Sequence, residues 1–163
     1  RDHIITLKEA RQWYVKRYLF GQYLRIYKLL GLPEMFSLCE KFLRLDIRRE
    51  EKLSYLKQQE NVELQGACII FSPMYIKNND KAFEEQTFMY CEEALLSLKC
   101  MKNGWKVIYN PELRIKHVEK ASTSILNCNT IDREIFCSDN LVKAIKVVIN
   151  ELNGRKRECS RQN

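Results

Sequence analysis

The sequence predicts an α/β domain, a mixed sheet flanked by helices, with further helical segments at both ends. Three observations predict it. Residues 62–71 (VELQGACIIF) are apolar and β-branched, as a buried strand requires. Residues 105–109 and 113–118 read as two more strands joined by the turn dipeptide Asn110-Pro111. Helical spacing of apolar residues fills 7–30, 91–103 and 131–152.

From Leu7 to Leu30 the apolar and aromatic positions include Ala10, Trp13, Tyr14, Tyr18, Tyr23, Ile26 and Tyr27, three or four apart, with Lys and Arg in many gaps. Gly31 followed by Leu32-Pro33 stops this helix, and a second is expected over about 34–45. Two readings of the opening helix stand side by side. Its aromatic stripe packs on its own domain, or the basic, aromatic surface lies on an anionic membrane. Residues 46–60 (DIRREEKLSYLKQQE) read as a solvated connector, so 1–60 form one basic helical segment with its linker.

The domain core is expected over 61–124. Its first strand carries Gly66, where a second backbone or a ligand can approach closely or a bulge can form. Ser72-Pro73 then supplies an N-cap and a first-turn proline for a short helix. In 91–103 the acids Glu92 and Glu93 open a helix, Lys99 and Lys102 close it, and Gly104 is placed as the left-handed residue beyond its end. In the strand ending near Val118, Leu113, Ile115 and His117 share one face while Arg114 and Lys116 share the other. Residues 125–163 supply the last helix and a basic tail.

Composition narrows the function. The 163 residues are 45% hydrophobic and 30% charged, a globular mixture sufficient for one domain. No uninterrupted apolar run is long enough to span a bilayer. The chain opens at Arg1 rather than Met, so further sequence is expected upstream, and no signal-peptide pattern is read. Net charge is +7, but residues 1–30 hold seven Lys and Arg against Asp2 and Glu9, while 31–60 and 61–117 are each neutral. A nucleic-acid coat is basic throughout its face, so no nucleic-acid partner is expected. Seven cysteines without a C-x-x-C pair point to reduced, mostly buried thiols in a cytosolic protein.

Two places in this pattern are candidates for chemistry. Adjacent residues on a helix point about 100° apart, so one carboxylate of Glu92-Glu93 can face a given cleft and accept a proton there. Both acids equally well complement the helix dipole. His117, on a face shared with two apolar side chains, fits a metal ligand, a phosphate donor or a structural histidine.

Taken in order, the features form a series: Gly66-Ala67-Cys68 in an apolar strand, Ser72-Pro73, Phe88-x-Tyr90-x-Glu92-Glu93, a helix ending at Gly104, Asn110-Pro111, and a strand reaching His117. This series resembles the C-terminal half of the catalytic domain of family-2 glycosyltransferases, in particular bacterial rhamnosyltransferase-like enzymes of surface-polysaccharide assembly. The likeness is close over about 62–124. It implies the C-terminal part of a GT-A type mixed sheet and an inverting transfer of sugar from a nucleotide-sugar to a hydroxyl of a growing surface or lipid-linked glycan. It places the catalytic base on Glu93, with Glu92 in support, substrate contacts on Gly66, Ala67 and Tyr90, and metal–diphosphate binding on His117. It also implies a divalent cation, Mg²⁺ or Mn²⁺, held mostly by a donor-binding half that this chain lacks, and a location at the cytoplasmic membrane face. The sequence departs from the family in three respects. Glu93 stands where the family has Asp, Leu95 where a second Asp often lies, and there is no D-x-D and no strand–helix alternation before Val62. The alternative is a non-catalytic relative that docks on a membrane or partner through 1–45.

Overall fold

A computed structural model describes residues 3–31, 56–116 and 130–159. Its element order is α1 (Leu7–Leu30), β1 (Gln59–Glu60), α2 (Pro73–Asn78), α3 (Glu92–Lys102), β2 (Ile108–Tyr109) and α4 (Thr130–Cys159). The described residues are largely helical with one small antiparallel β pair, a mixed α/β composition.

Each helix end has a local cause. The Thr6 hydroxyl accepts from the Glu9 backbone N–H, and the Glu9 carboxylate accepts from the Thr6 N–H, a reciprocal cap that fixes the start of α1. The Thr6 N–H and, after it, the Thr6 hydroxyl both donate to this carboxylate, and with His3 beside it they hold the Glu9 carboxyl down at about 2. Gly31 adopts the left-handed conformation (φ 65°) that ends the helix, in agreement with the stop signal. Ser72 caps α2 by accepting from the Tyr75 N–H, and Pro73 sits in its first turn. At the far end of α3, the N–H of Gly104 (φ 68°) reaches Met101 O and the N–H of Trp105 reaches Cys100 O. These two bonds make the Schellman closure that Gly104 was expected to provide.

α1 and α4 pack as an antiparallel pair. Arg25 meets Asp139 and Lys28 meets Asp132, each at 2.5 Å, while Tyr14 lies under the Lys146 ammonium further along. Between them Gly21 faces Ser138, whose hydroxyl donates to the Arg17 carbonyl. A Cβ at Gly21 would stand 3.0 Å from Ser138 Oγ, so the missing side chain permits the close approach. Ile5, Ala10, Leu141, Ala144, Ile145 and Val148 form the core here, joined by Cys91, the N-cap of α3, and by Ala94, Leu95 and Leu98 within it.

A second, smaller cluster gathers Tyr75, Leu96, Cys100 and Val107, with Leu64, Ile69, Phe71, Phe83 and Trp105 around it. α3 therefore lies between two apolar clusters, and six of its eleven residues are buried. The spacing explains this. Cys91, Ala94, Leu95 and Leu98 follow i, i+3, i+4, i+7 toward the larger core, and Glu93, Leu96, Ser97 and Cys100 follow the same spacing on the other side.

The expected three-stranded mixed sheet is not what forms among the described residues. β2 covers only the end of 105–109, and its partner is Gln59–Glu60, from the stretch read as a connector. Residues 62–71 are apolar because Leu64, Ile69 and Phe71 cover the smaller cluster and its cavity, but Gly66 and Ala67 break the run with a turn. Burial selects the same residue types as a strand does, and only a partner edge makes a strand of them. Residues 113–116 likewise carry no ladder, while 117–118, and with them His117, lie outside the described residues, as does the helix expected over 34–45. The helical ends are as expected, with α4 extending beyond 131–152 on both sides.

Candidate functional site

The cavity of the smaller cluster holds the candidate site. It encloses about 430 Å³ and is walled by Phe71, Tyr75, Leu96, Trp105 and Val107. Its aromatic rings brace one another: Tyr75 meets Phe71 at 4.8 Å and Trp105 edge-on at 5.5 Å between centroids. The Tyr75 hydroxyl donates to the Ala82 carbonyl at 2.9 Å, tying the loop after α2 to this wall. Burial raises the Tyr75 phenol above its ordinary range, and does the same to the Cys100 thiol.

Besides the aromatic wall, the polar residues Ser72, Glu93, Ser97 and Lys106 line this space. The Ser97 hydroxyl donates back to the Glu93 carbonyl at 2.8 Å. Among the described residues that line it, Glu93 is the only acid. Its carboxylate lies against Gly66: a Cβ built on that glycine would stand 2.1 Å from Oε1 and 3.1 Å from Cδ. Two positions far apart in sequence thus meet beside the cavity that Glu93 lines, and a glycine is what leaves room for the acid.

The remaining sequence candidates divide around this point. Ala67 shares the turn with Gly66 and is exposed. Glu92, half-buried in the first turn of α3, does not line the cavity. Tyr90 packs against the larger core, where burial, and after it a hydrogen bond with Cys137, pushes its phenol far above the ordinary value. The chain turns away from the cavity just before α3, because Met89 (φ 66°) and Cys91 (φ 67°) are both left-handed. Such residues each cost on the order of 1 kcal/mol or more and are held only by well-determined surroundings.

Leu96, Ser97 and Cys100 were not singled out in the sequence. The signal for them was present, since they stand three, four and seven residues after Glu93, on one helix face. Phe71, Tyr75 and Trp105 carried no comparable pattern, because loops bring them together.

The thiols at Cys68, Cys91, Cys100 and Cys137 form no disulfide, and of these Cys68 is exposed. Among the described residues no three of His, Cys, Asp and Glu converge in a way that would hold a cation. The described lining of the cavity is mostly apolar, with one carboxylate residue, Glu93, in it. No family model, no curated protein and no solved structure matches the chain.

Proposed function

We propose that this chain is the acceptor-side, C-terminal portion of an inverting glycosyltransferase of GT-A type, with Glu93 as its general base. The observation that carries the reading is the placement of Glu93: one carboxylate at the rim of an apolar cavity, seated against Gly66. The motif series marked both positions for the same site.

In this reading the acceptor enters along the aromatic wall of Phe71, Tyr75 and Trp105, with a hydroxyl directed at Glu93. Sugars stack on aromatic faces through their C–H surfaces, so such a wall suits a glycan or a lipid-linked glycan. The carboxylate takes the hydroxyl proton while the oxygen bonds to the anomeric carbon of the donor. The bond from that carbon to the diphosphate oxygen breaks on the opposite face, and nucleoside diphosphate departs. Inversion follows from the single displacement. Glu92 points elsewhere around the helix and supports the charge of the helix start. The donor sugar-nucleotide and its divalent cation are assigned to a further α/β half carrying a D-x-D motif.

Glu93→Gln in the full-length protein tests this. Gln keeps the shape but accepts no proton at neutral pH. Release of nucleoside diphosphate from a panel of UDP-, GDP- and dTDP-sugars should fall about 10²–10⁴-fold in kcat, with donor binding retained. Transfer at the unmutated rate removes Glu93 from the chemistry. An open reading frame that starts close to Arg1 with no D-x-D removes the donor half and with it the enzyme.

A further inference from the structure

α1 has two apolar faces, and among the described residues only one of them is covered. Ala10, Leu24 and Tyr27 are buried on the inner side. On the outer side Val15, Leu19, Ile26 and Leu29, with Tyr18 and Leu30 at the edges, are all exposed, Leu29 at 87%. At 3.6 residues per turn these six fall within an arc of roughly 120°, along about 22 Å of helix. Lys8 and Arg11, both exposed, continue the same arc toward the N-terminus.

Among the described residues of α1, the outer face carries no anion. Glu9 is the only acid in α1, and its carboxylate is turned back to cap Thr6. Arg25 and Lys28, at the margin toward α4, are paired with Asp139 and Asp132, which fixes the rotation of α1 about its axis. The outer face is thus a preformed strip of aliphatic and aromatic side chains with cations at one end. We propose that it docks on an anionic lipid surface, lying along the headgroup boundary with Val15, Leu19, Ile26 and Leu29 inserted. No described helix is long and apolar enough to cross a membrane, so the contact is along the surface. A second copy of the chain fits less well. Pairing this face with itself would bring no carboxylate of α1 to Lys8 and Arg11, whereas anionic headgroups neutralise both.

The test uses the whole protein and does not involve the cavity or Glu93. Co-sedimentation is measured with vesicles of phosphatidylcholine alone and of phosphatidylcholine mixed with phosphatidylglycerol, at low and high salt. Binding is expected to the mixed vesicles at low salt and to weaken as salt rises. Each cation near such a surface is worth roughly fivefold in partitioning, so Lys8→Gln with Arg11→Gln should weaken binding about 25-fold. Leu19→Glu with Ile26→Glu should abolish it, while circular dichroism shows the helices intact, since both positions face away from α4. The proposal is overturned if the unaltered protein ignores mixed vesicles at low salt, or if either pair of substitutions leaves binding unchanged. It is also overturned if light scattering shows a dimer that Leu19→Glu dissolves while no vesicle is bound. That result would assign the face to a second copy.

Discussion

Replacing Gly66 by Ala turns the contact at the cavity rim into a measurable energy. The backbone of Gly66 lies outside the left-handed region, so alanine meets no conformational penalty there. What the new Cβ meets is Glu93, at 2.1 Å from Oε1 where 3.0 Å is the practical limit, and the carboxylate must retreat by about 1 Å. Glu93 can do so by leaving its preferred torsions, at about 0.5–1.5 kcal/mol. Against this, alanine restricts the unfolded chain and stabilises by about 0.4–1 kcal/mol. The single variant should therefore lie within about 1 kcal/mol of the parent. With Glu93→Ala already in place the obstruction is gone, and the same substitution should stabilise by the full entropic amount. The expected coupling between the two positions is about 0.5–1.5 kcal/mol, read from urea midpoints of the four proteins in a double-mutant cycle. If Gly66→Ala has the same effect in both backgrounds, to within about 0.3 kcal/mol, the two positions do not touch and the site as drawn here fails. A loss of several kcal/mol in both backgrounds refutes it differently, by showing that backbone rather than a movable side chain fills the space.

Two further expectations concern the helical frame. Ile145 is fully buried where α1, α3 and α4 meet, so Ile145→Ala should cost about 2–5 kcal/mol in a urea titration. Thr6→Ala removes the cap of α1 and should cost about 1 kcal/mol. The same change alters the acid limb of stability, because the folded Glu9 carboxyl sits at about 2, below its usual 4.5. A depressed folded value stabilises above the ordinary carboxylate range and is lost as pH falls from about 4.5 toward 2. Acid unfolding should therefore lose part of its slope in that window in Thr6→Ala. An unchanged acid limb would detach Glu9 from the cap.

What the sequence disclosed was mostly local. The stop at Gly31, the Ser72-Pro73 start, the bounds of α3 and the left-handed Gly104 all depend on residues within one or two turns, and each is found as expected. The sheet depends on partners distant in the chain. Gln59 and Glu60 have little preference for a strand, yet they pair with Tyr109 and Ile108 because antiparallel ladders use backbone groups, and exposed positions there tolerate polar side chains. The site shows the same division. Helical geometry separates Glu92 from Glu93 and aligns Glu93 with Leu96 and Cys100, whereas the meeting of Glu93 with Gly66 needed the fold. Tyr90 shows how little sequence proximity decides. Two left-handed residues suffice to send it into the opposite core.

The position of α3 between two clusters makes it a shared wall, and a wall transmits displacement. Leu98 and Ala94 press on one side while Glu93 and Leu96 line or support the other, all on a helix of eleven residues. Side-chain atoms at the rim of a helix lie about 5–6 Å from its axis, so turning α3 by about 10° moves them by about 1 Å. A displacement of that size can cost a reacting group about a hundredfold in rate. The volume of Ala94, packed in the larger core, thereby sets where the Glu93 carboxylate stands. Redesign of the larger core for stability alone would also retune the cavity, and the two cannot be optimised independently.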